Sequence, residues 1–161
     1  MKLLVPRVVK NWKFANQITL NNINYQTNPY GNGRRFSVQD KASFWIEAFK
    51  EFNLIPDEIE PIFKNLIGNH YLDGSYVHEH IDDAPSGYVH TRCNLMIKKP
   101  NIGGNPVIDD EEFNVEVNDL WLCLASLEKH RSTPIYGGER LIFSFGALIK
   151  TDKIKNILHD K

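Results

Sequence analysis

From Asn69 onward the chain is cut into short apolar runs separated by turn signals, mostly Gly, Pro, Asp or Asn. The runs fall at 69–72, 75–80, 89–98, 105–108, 112–117, 119–125 and 139–149. Segments of this kind, punctuated by turn chemistry, read as strands, and so many short strands stack as a sandwich or close into a barrel. The expected class is therefore mainly β. No internal repeat or low-complexity segment interrupts the pattern.

The first 68 residues read differently. Residues 3–9 (LLVPRVV) and 17–20 (QITL) are expected as short strands, with Pro6 holding the first at an edge because proline cannot donate to a ladder. Residues 24–37, carrying Tyr25, Tyr30, Arg34 and Arg35 among Asn, Gly and Pro, form a loop. It is either a solvated connection or a lid over a substrate site. Asp40 suits the N-cap of a helix from Lys41 to about Asn53, whose Phe44, Ala48, Phe49 and Phe52 share one face. A second helix is expected from Pro56 to about Ile67, with Asp57 and Glu58 in its first turn, Pro61 as a kink and Gly68 as its stop. One domain over 1–161 follows, with strands and helices of 1–68 buttressing a β core at 69–150. A chain of this length buries roughly two-thirds of its unfolded surface.

The charge balance narrows the partners. Nineteen Lys and Arg face 20 Asp and Glu, so no net field draws in nucleic acid or a membrane surface. Cys93 and Cys123 sit inside apolar runs rather than at metal-like spacing, which reads as reduced core thiols of a cytoplasmic protein. The apolar start is broken by Pro6 and Arg7, too early for a signal peptide or a membrane span.

The chemistry concentrates in YVHEHIDD at 76–83 and KHRSTPIYGGERLIFSFG at 129–146. Strand alternation would put Tyr76, His78 and His80 on one face and Val77 and Glu79 on the other. His80, Asp82 and His130 together supply two imidazoles and a carboxylate, the facial set that binds a divalent ion such as Fe(II) and leaves positions open. Arg140, ten residues after His130, suits a dicarboxylate because its planar fork pairs with a carboxylate. His78 with His80 is the competing H-x-H pair. His70 reads as a strand cap, His90 as a residue of the pocket mouth beside Arg92, and His159 as part of a polar tail. Trp121 reads as core.

The ordered series H-x-D, R-x-N, G-G, H and R resembles the Fe(II)/2-oxoglutarate-dependent dioxygenases over Tyr71 to Ile149, about half the chain. The run RCNLMIKKP at 92–100 and the spacing from His130 to Arg140 are similar to the aspartyl/asparaginyl β-hydroxylase branch. The H-x-D and Gly103-Gly104 are similar to the prolyl hydroxylase branch. The resemblance implies a double-stranded β-helix, the jelly-roll or cupin-like barrel, with Fe(II) on His80, Asp82 and His130. It implies 2-oxoglutarate as co-substrate and O2 as oxidant, with succinate and CO2 released as a C–H bond is hydroxylated. Arg140 would hold the distal carboxylate of 2-oxoglutarate, with Ser144 donating a hydrogen bond. Arg92 and Asn94 stand where that branch has an R-x-H pair at the other end, and Tyr71 where prolyl hydroxylases place a co-substrate tyrosine. Asp82 fills the position that halogenases leave open. The substrate class implied is a peptidyl side chain or a small molecule. The rivals are a cupin-like metal enzyme that does not use 2-oxoglutarate and a barrel that only binds.

Overall fold

The computed structural model describes residues 2–22, 35–38, 44–59 and 66–159. Two long antiparallel neighbours, β5 (Tyr88–Lys98) and β12 (Arg140–Lys150), form the spine of a seven-stranded sheet. On the β5 side β9 (Leu120–Cys123) and then β1 (Val8–Val9) extend it. On the other side lie β4 (Leu66–Tyr71) and β2 (Arg35–Ser37), while β3 (Glu58–Ile59) pairs with the far end of β12.

Period-2 alternation gives this sheet two unlike faces. Leu141, Phe143, Phe145, Ala147 and Ile149 of β12 join Val89, Cys93, Leu95 and Ile97 of β5 in one buried cluster. That cluster is closed by Ala15 and Ile18 of α1 (Ala15–Asn21) and by Trp45, Ala48 and Phe49 of α2 (Trp45–Lys50). The opposite face meets a second layer. There β7 (Pro106–Ile108), β8 (Glu111–Glu112) and β10 (His130–Ser132) form one small sheet, and β6 (Ile102–Gly103) pairs with β11 (Ile135–Tyr136). Ile108 packs there with Met96, Trp121 and Ile142, so the two layers make a β-sandwich. A short helix, α3 (Thr151–Lys155), follows β12 in what reads from sequence as a polar tail.

Several expectations need correction. QITL at 17–20 lies in helix α1, because Ala15, Ile18 and Asn22 are buried at helical spacing, a period that four residues are too few to reveal. The helix expected over 56–67 is absent from its described ends: Glu58–Ile59 and Leu66–Ile67 are strand. Gly68 is a strand glycine rather than a helix stop. It pairs with Phe36, and a Cβ there would fall 2.3 Å from the Phe36 ring, so the aromatic covers the position a side chain would need. The strand expected over 3–9 is ordered as strand only at Val8–Val9. Of the run 112–117 only Glu112 is strand: it ends β8 (Glu111–Glu112), which the positive-φ pair Asp109 and Asp110 turns back onto β7. The core of the helix expected over 41–53 is α2, whereas Asp40 and the start of that helix lie outside the described residues, as do Pro61 and residues 24–34 of the loop. Among the described residues no helix is long and apolar enough to cross a membrane.

Candidate metal centre and anion pocket

The run 75–80 is not the regular strand its sequence suggests. It follows 130–135 at irregular intervals: the Ile135 N–H donates to the Ser75 carbonyl, Ser132 and Val77 are joined through backbone and hydroxyl, and His80 bridges His130. The expected alternation fails accordingly, and Val77 lines the same cavity as His80. At the bridge each backbone N–H donates to the other's carbonyl, at 3.1 and 2.9 Å, which sets the two imidazoles side by side with centroids 4.2 Å apart.

Both rings are oriented by carbonyls. Nδ1 of His80 lies 2.7 Å from the His78 carbonyl, and Nδ1 of His130 lies 2.9 Å from the Glu128 carbonyl. A carbonyl can only accept, so each Nδ1 carries a proton, and in the neutral ring each Nε2 keeps its lone pair for another partner. Asp82 completes the group. Its N–H is held by the Ala125 carbonyl at 2.8 Å, and its Oδ1 lies 3.4 Å from His80 Nε2. The donor atoms of His80, Asp82 and His130 all lie within 4.8 Å of one another. Two metal bonds of about 2.1 Å at a right angle put their donors about 3 Å apart, so the His80–Asp82 pair already stands near that spacing and the three side chains could close on a first-row divalent ion. Burial holds the His130 imidazole below its usual range, which favours the neutral ring a metal requires.

His78 is exposed and packs at a tilt against Tyr76, outside the cavity lining. His70 is not a strand cap: it sits within β4 and faces Glu139 at 3.1 Å. His90 is buried rather than at the mouth, with Nδ1 3.5 Å from Asp82 Oδ2, so it backs the carboxylate of the candidate triad. That contact is not evident from the sequence, although the H-x-R-x-N alternation at 90–94 marks the face.

Behind the triad, between the two layers, lies a cavity of about 360 Å³. Tyr71, Arg92, Asn94, Trp121, Arg140 and Ser144 all contribute to its wall. Trp121 is thus both core and wall. Arg140 is 3% exposed. Its Nε donates to the Gly104 carbonyl at 2.8 Å, and its guanidinium lies 5.8 Å from the Tyr71 ring and 5.9 Å from that of Trp121. Among the described residues no carboxylate reaches it. Burial draws its pKa down to about 10, still protonated at neutral pH. Arg92 donates from Nη1 to the Ser144 hydroxyl at 3.0 Å and lies flat over Gly146, where a Cβ would stand 3.1 Å from the guanidinium. Arg92 and Ser144, given separate roles by sequence, are joined to each other. Arg35, read from sequence as part of a loop or lid, lies instead in strand β2 and lines the cavity, as do Asn69 and Arg131, which carry no local sequence signal for it.

No family model and no curated protein matches the chain. Among solved structures it is similar to a viral collagen prolyl hydroxylase from Paramecium Bursaria Chlorella virus-1, in a truncated form, at 12% identity over 88% of each chain with TM-score 0.61. A 2OG-Fe(II) oxygenase family oxidoreductase from Burkholderia pseudomallei aligns at 15% identity over 52% of this chain and 43% of its own, TM-score 0.44. A predicted oxalate decarboxylase from Thermotoga maritima aligns at 13% identity over 52% and 65%, TM-score 0.42. These last two matches span about half of this chain and less than two-thirds of theirs. The likeness to the viral enzyme, at this identity, is one of fold.

Proposed function

We propose that the chain is an Fe(II)- and 2-oxoglutarate-dependent oxygenase, built on a double-stranded β-helix, that hydroxylates an unactivated C–H bond of a peptidyl side chain or small molecule. One oxygen atom of O2 enters the product and the other enters succinate as CO2 leaves. The chain would work as one domain, residues 69–150 supplying the site and 1–68 its support, in a reducing compartment that suits the buried, unbridged Cys93 and Cys123.

Arg140 carries the reading. A guanidinium taken out of water with no carboxylate against it is costly, and an anionic ligand in the same cavity removes the cost. A metal triad at one side and a buried cation at the other match the two ends of a 2-oxoacid bearing a distal carboxylate. Fe(II), when bound, would activate O2 and offer the open positions that a 2-oxoacid can chelate, while the electrons come from the 2-oxoacid and the substrate C–H bond. His80 and His130 offer Nε2 and Asp82 offers Oδ1. Arg140 orients the distal carboxylate through paired N–H groups, while Tyr71, Trp121 and Ile142 keep that end dry. Ser144 and Arg92, already joined, stand beside it and limit how the co-substrate tilts. A cupin-like enzyme that spares 2-oxoglutarate would leave Arg140 idle, and its H-x-H pair would need the exposed His78.

Arg140→Ala tests the assignment. Loss of the buried charge-assisted contact should weaken 2-oxoglutarate by about 2–5 kcal/mol, judged from buried charge pairs at interfaces. Fe(II) affinity should stay near that of the parent. Anaerobic calorimetry on the iron-loaded chain separates the two. Equal 2-oxoglutarate affinity in variant and parent would transfer the reading to the cupin-like enzyme.

A further inference from the structure

We propose that Arg7 and Glu128 are positioning residues for the metal site, and that their buried ion pair fixes the one turn from which two of the three ligands hang. The inference rests on the metal reading of His80, Asp82 and His130 given above.

Glu128 is fully buried, 121 residues from Arg7 in sequence. The two form a forked pair: Arg7 Nη2 donates to Oε1 at 2.6 Å and Nη1 to Oε2 at 2.9 Å. Nη1 also reaches the Leu122 carbonyl at 3.0 Å, and the guanidinium sits over the Phe113 ring. Glu128 Oε2 in turn accepts the Leu124 N–H at 2.9 Å, so the carboxylate closes the 124–128 turn from inside. Apart from the Arg7 pair, that turn reaches outward to three residues of the site. The Ala125 carbonyl holds the Asp82 N–H, and the Glu128 carbonyl takes Nδ1–H of His130. The Ser126 hydroxyl takes the His90 N–H, and His90 faces Asp82.

A buried ion pair is a poor device for stability alone, since apolar residues of similar size serve as well or better. What this pair supplies is direction. Groups behind metal ligands set the ring plane and the tautomer, and losing them typically costs about 10–100-fold in metal affinity. His80 serves as an internal control, because its Nδ1 is held by the His78 carbonyl and owes nothing to the turn.

The decisive variant is R7M/E128M, which replaces the pair with apolar groups of similar length and keeps the backbone carbonyls. Nitrogen-15 correlation spectra of the metal-free full chain, at one fixed pH, report the tautomer of each ring. The parent should show Nδ1–H at both His80 and His130. The variant should show a mixture at His130 with His80 unchanged, and Co(II) titration should show affinity lower by about 10–100-fold. Retention of a single Nδ1–H form at His130 with parental Co(II) affinity would overturn the proposal. So would equal changes at His80 and His130, which would mean general loosening. If the double variant does not fold, R7K, which keeps the charge and loses the fork, should move His130 alone by a smaller amount; an unmoved His130 there also overturns it. A parent that takes up neither Co(II) nor Fe(II) would sink the metal reading and with it the metal-site role of the pair, whereas unchanged tautomers in the variant of a metal-binding parent would sink the role of the pair alone.

Discussion

The two faces of the seven-stranded sheet differ by one residue step and by almost everything else. On β12, Leu141, Phe143, Phe145, Ala147 and Ile149 pack into the helix-covered cluster. Between them Arg140, Ile142 and Ser144 line the cavity, and Gly146 makes room for Arg92. One strand thus anchors the fold with odd positions and offers chemistry with even ones. Both faces are nearly as buried, so burial does not separate them. Polarity does: the cavity face buries a guanidinium and a hydroxyl, groups that are tolerated inside only when something pairs with them.

The largest expected effect lies at the second layer. His80→Ala, Asp82→Ala and His130→Ala should each abolish iron-dependent turnover and metal uptake. The His80 and Asp82 side chains are 45% and 26% exposed, so unfolding of the metal-free chain should move by only about 0.5 kcal/mol for those two. Calorimetry with Fe(II) beside denaturant melts makes the check. Uptake retained by any of the three would detach the site from these residues.

Phe143→Ala reverses the pattern. The ring is fully buried on the helix-facing side, and truncation there should cost about 3–5 kcal/mol of stability. Arg140→Ala, three residues earlier, should cost far less. Relief of a desolvated cation offsets the lost methylenes and the lost contact to the Gly104 carbonyl. Urea denaturation of both variants sharpens the comparison. Equal destabilisation would mean that Arg140 is a structural residue like its neighbours.

Period-2 segments were the legible part of the chain. β5 and β12 stand close to where alternation put them, at 88–98 and 140–150, and Arg140 begins its strand. The His80, Asp82 and His130 set was legible as residue types flanking turns. Its geometry was not, because 75–80 is held by an irregular series of bonds to 130–135 that no alternation encodes. The described ends of the run before Gly68 are strand where the sequence reads helix, and Phe36, the residue covering that glycine, lies thirty-two positions away in sequence and beside it in space. Arg7 and Glu128 were hidden by the same kind of distance. Local pattern reports a period, whereas pairing across 121 residues reports topology.

The smallest effect is also the finest probe of the cavity face. The Ser144 hydroxyl, 1% exposed, accepts from Arg92 Nη1 at 3.0 Å, and its own proton remains available to the cavity. Ser144→Ala should cost about 1 kcal/mol in 2-oxoglutarate affinity, the worth of one hydrogen bond. That loss has two possible routes, a direct bond from the hydroxyl or a displaced Arg92. Gly146→Ala separates them. Its new Cβ would crowd the Arg92 guanidinium at 3.1 Å while leaving Ser144 in place. The crowded atoms are the far end of a side chain, so Arg92 shifts at less cost than the about 1–3 kcal/mol of an overpacked core. Matching losses of affinity in Ser144→Ala and Gly146→Ala would assign the effect to Arg92. A loss in Ser144→Ala alone would assign it to the hydroxyl. No loss in either would confine co-substrate recognition on this strand to Arg140.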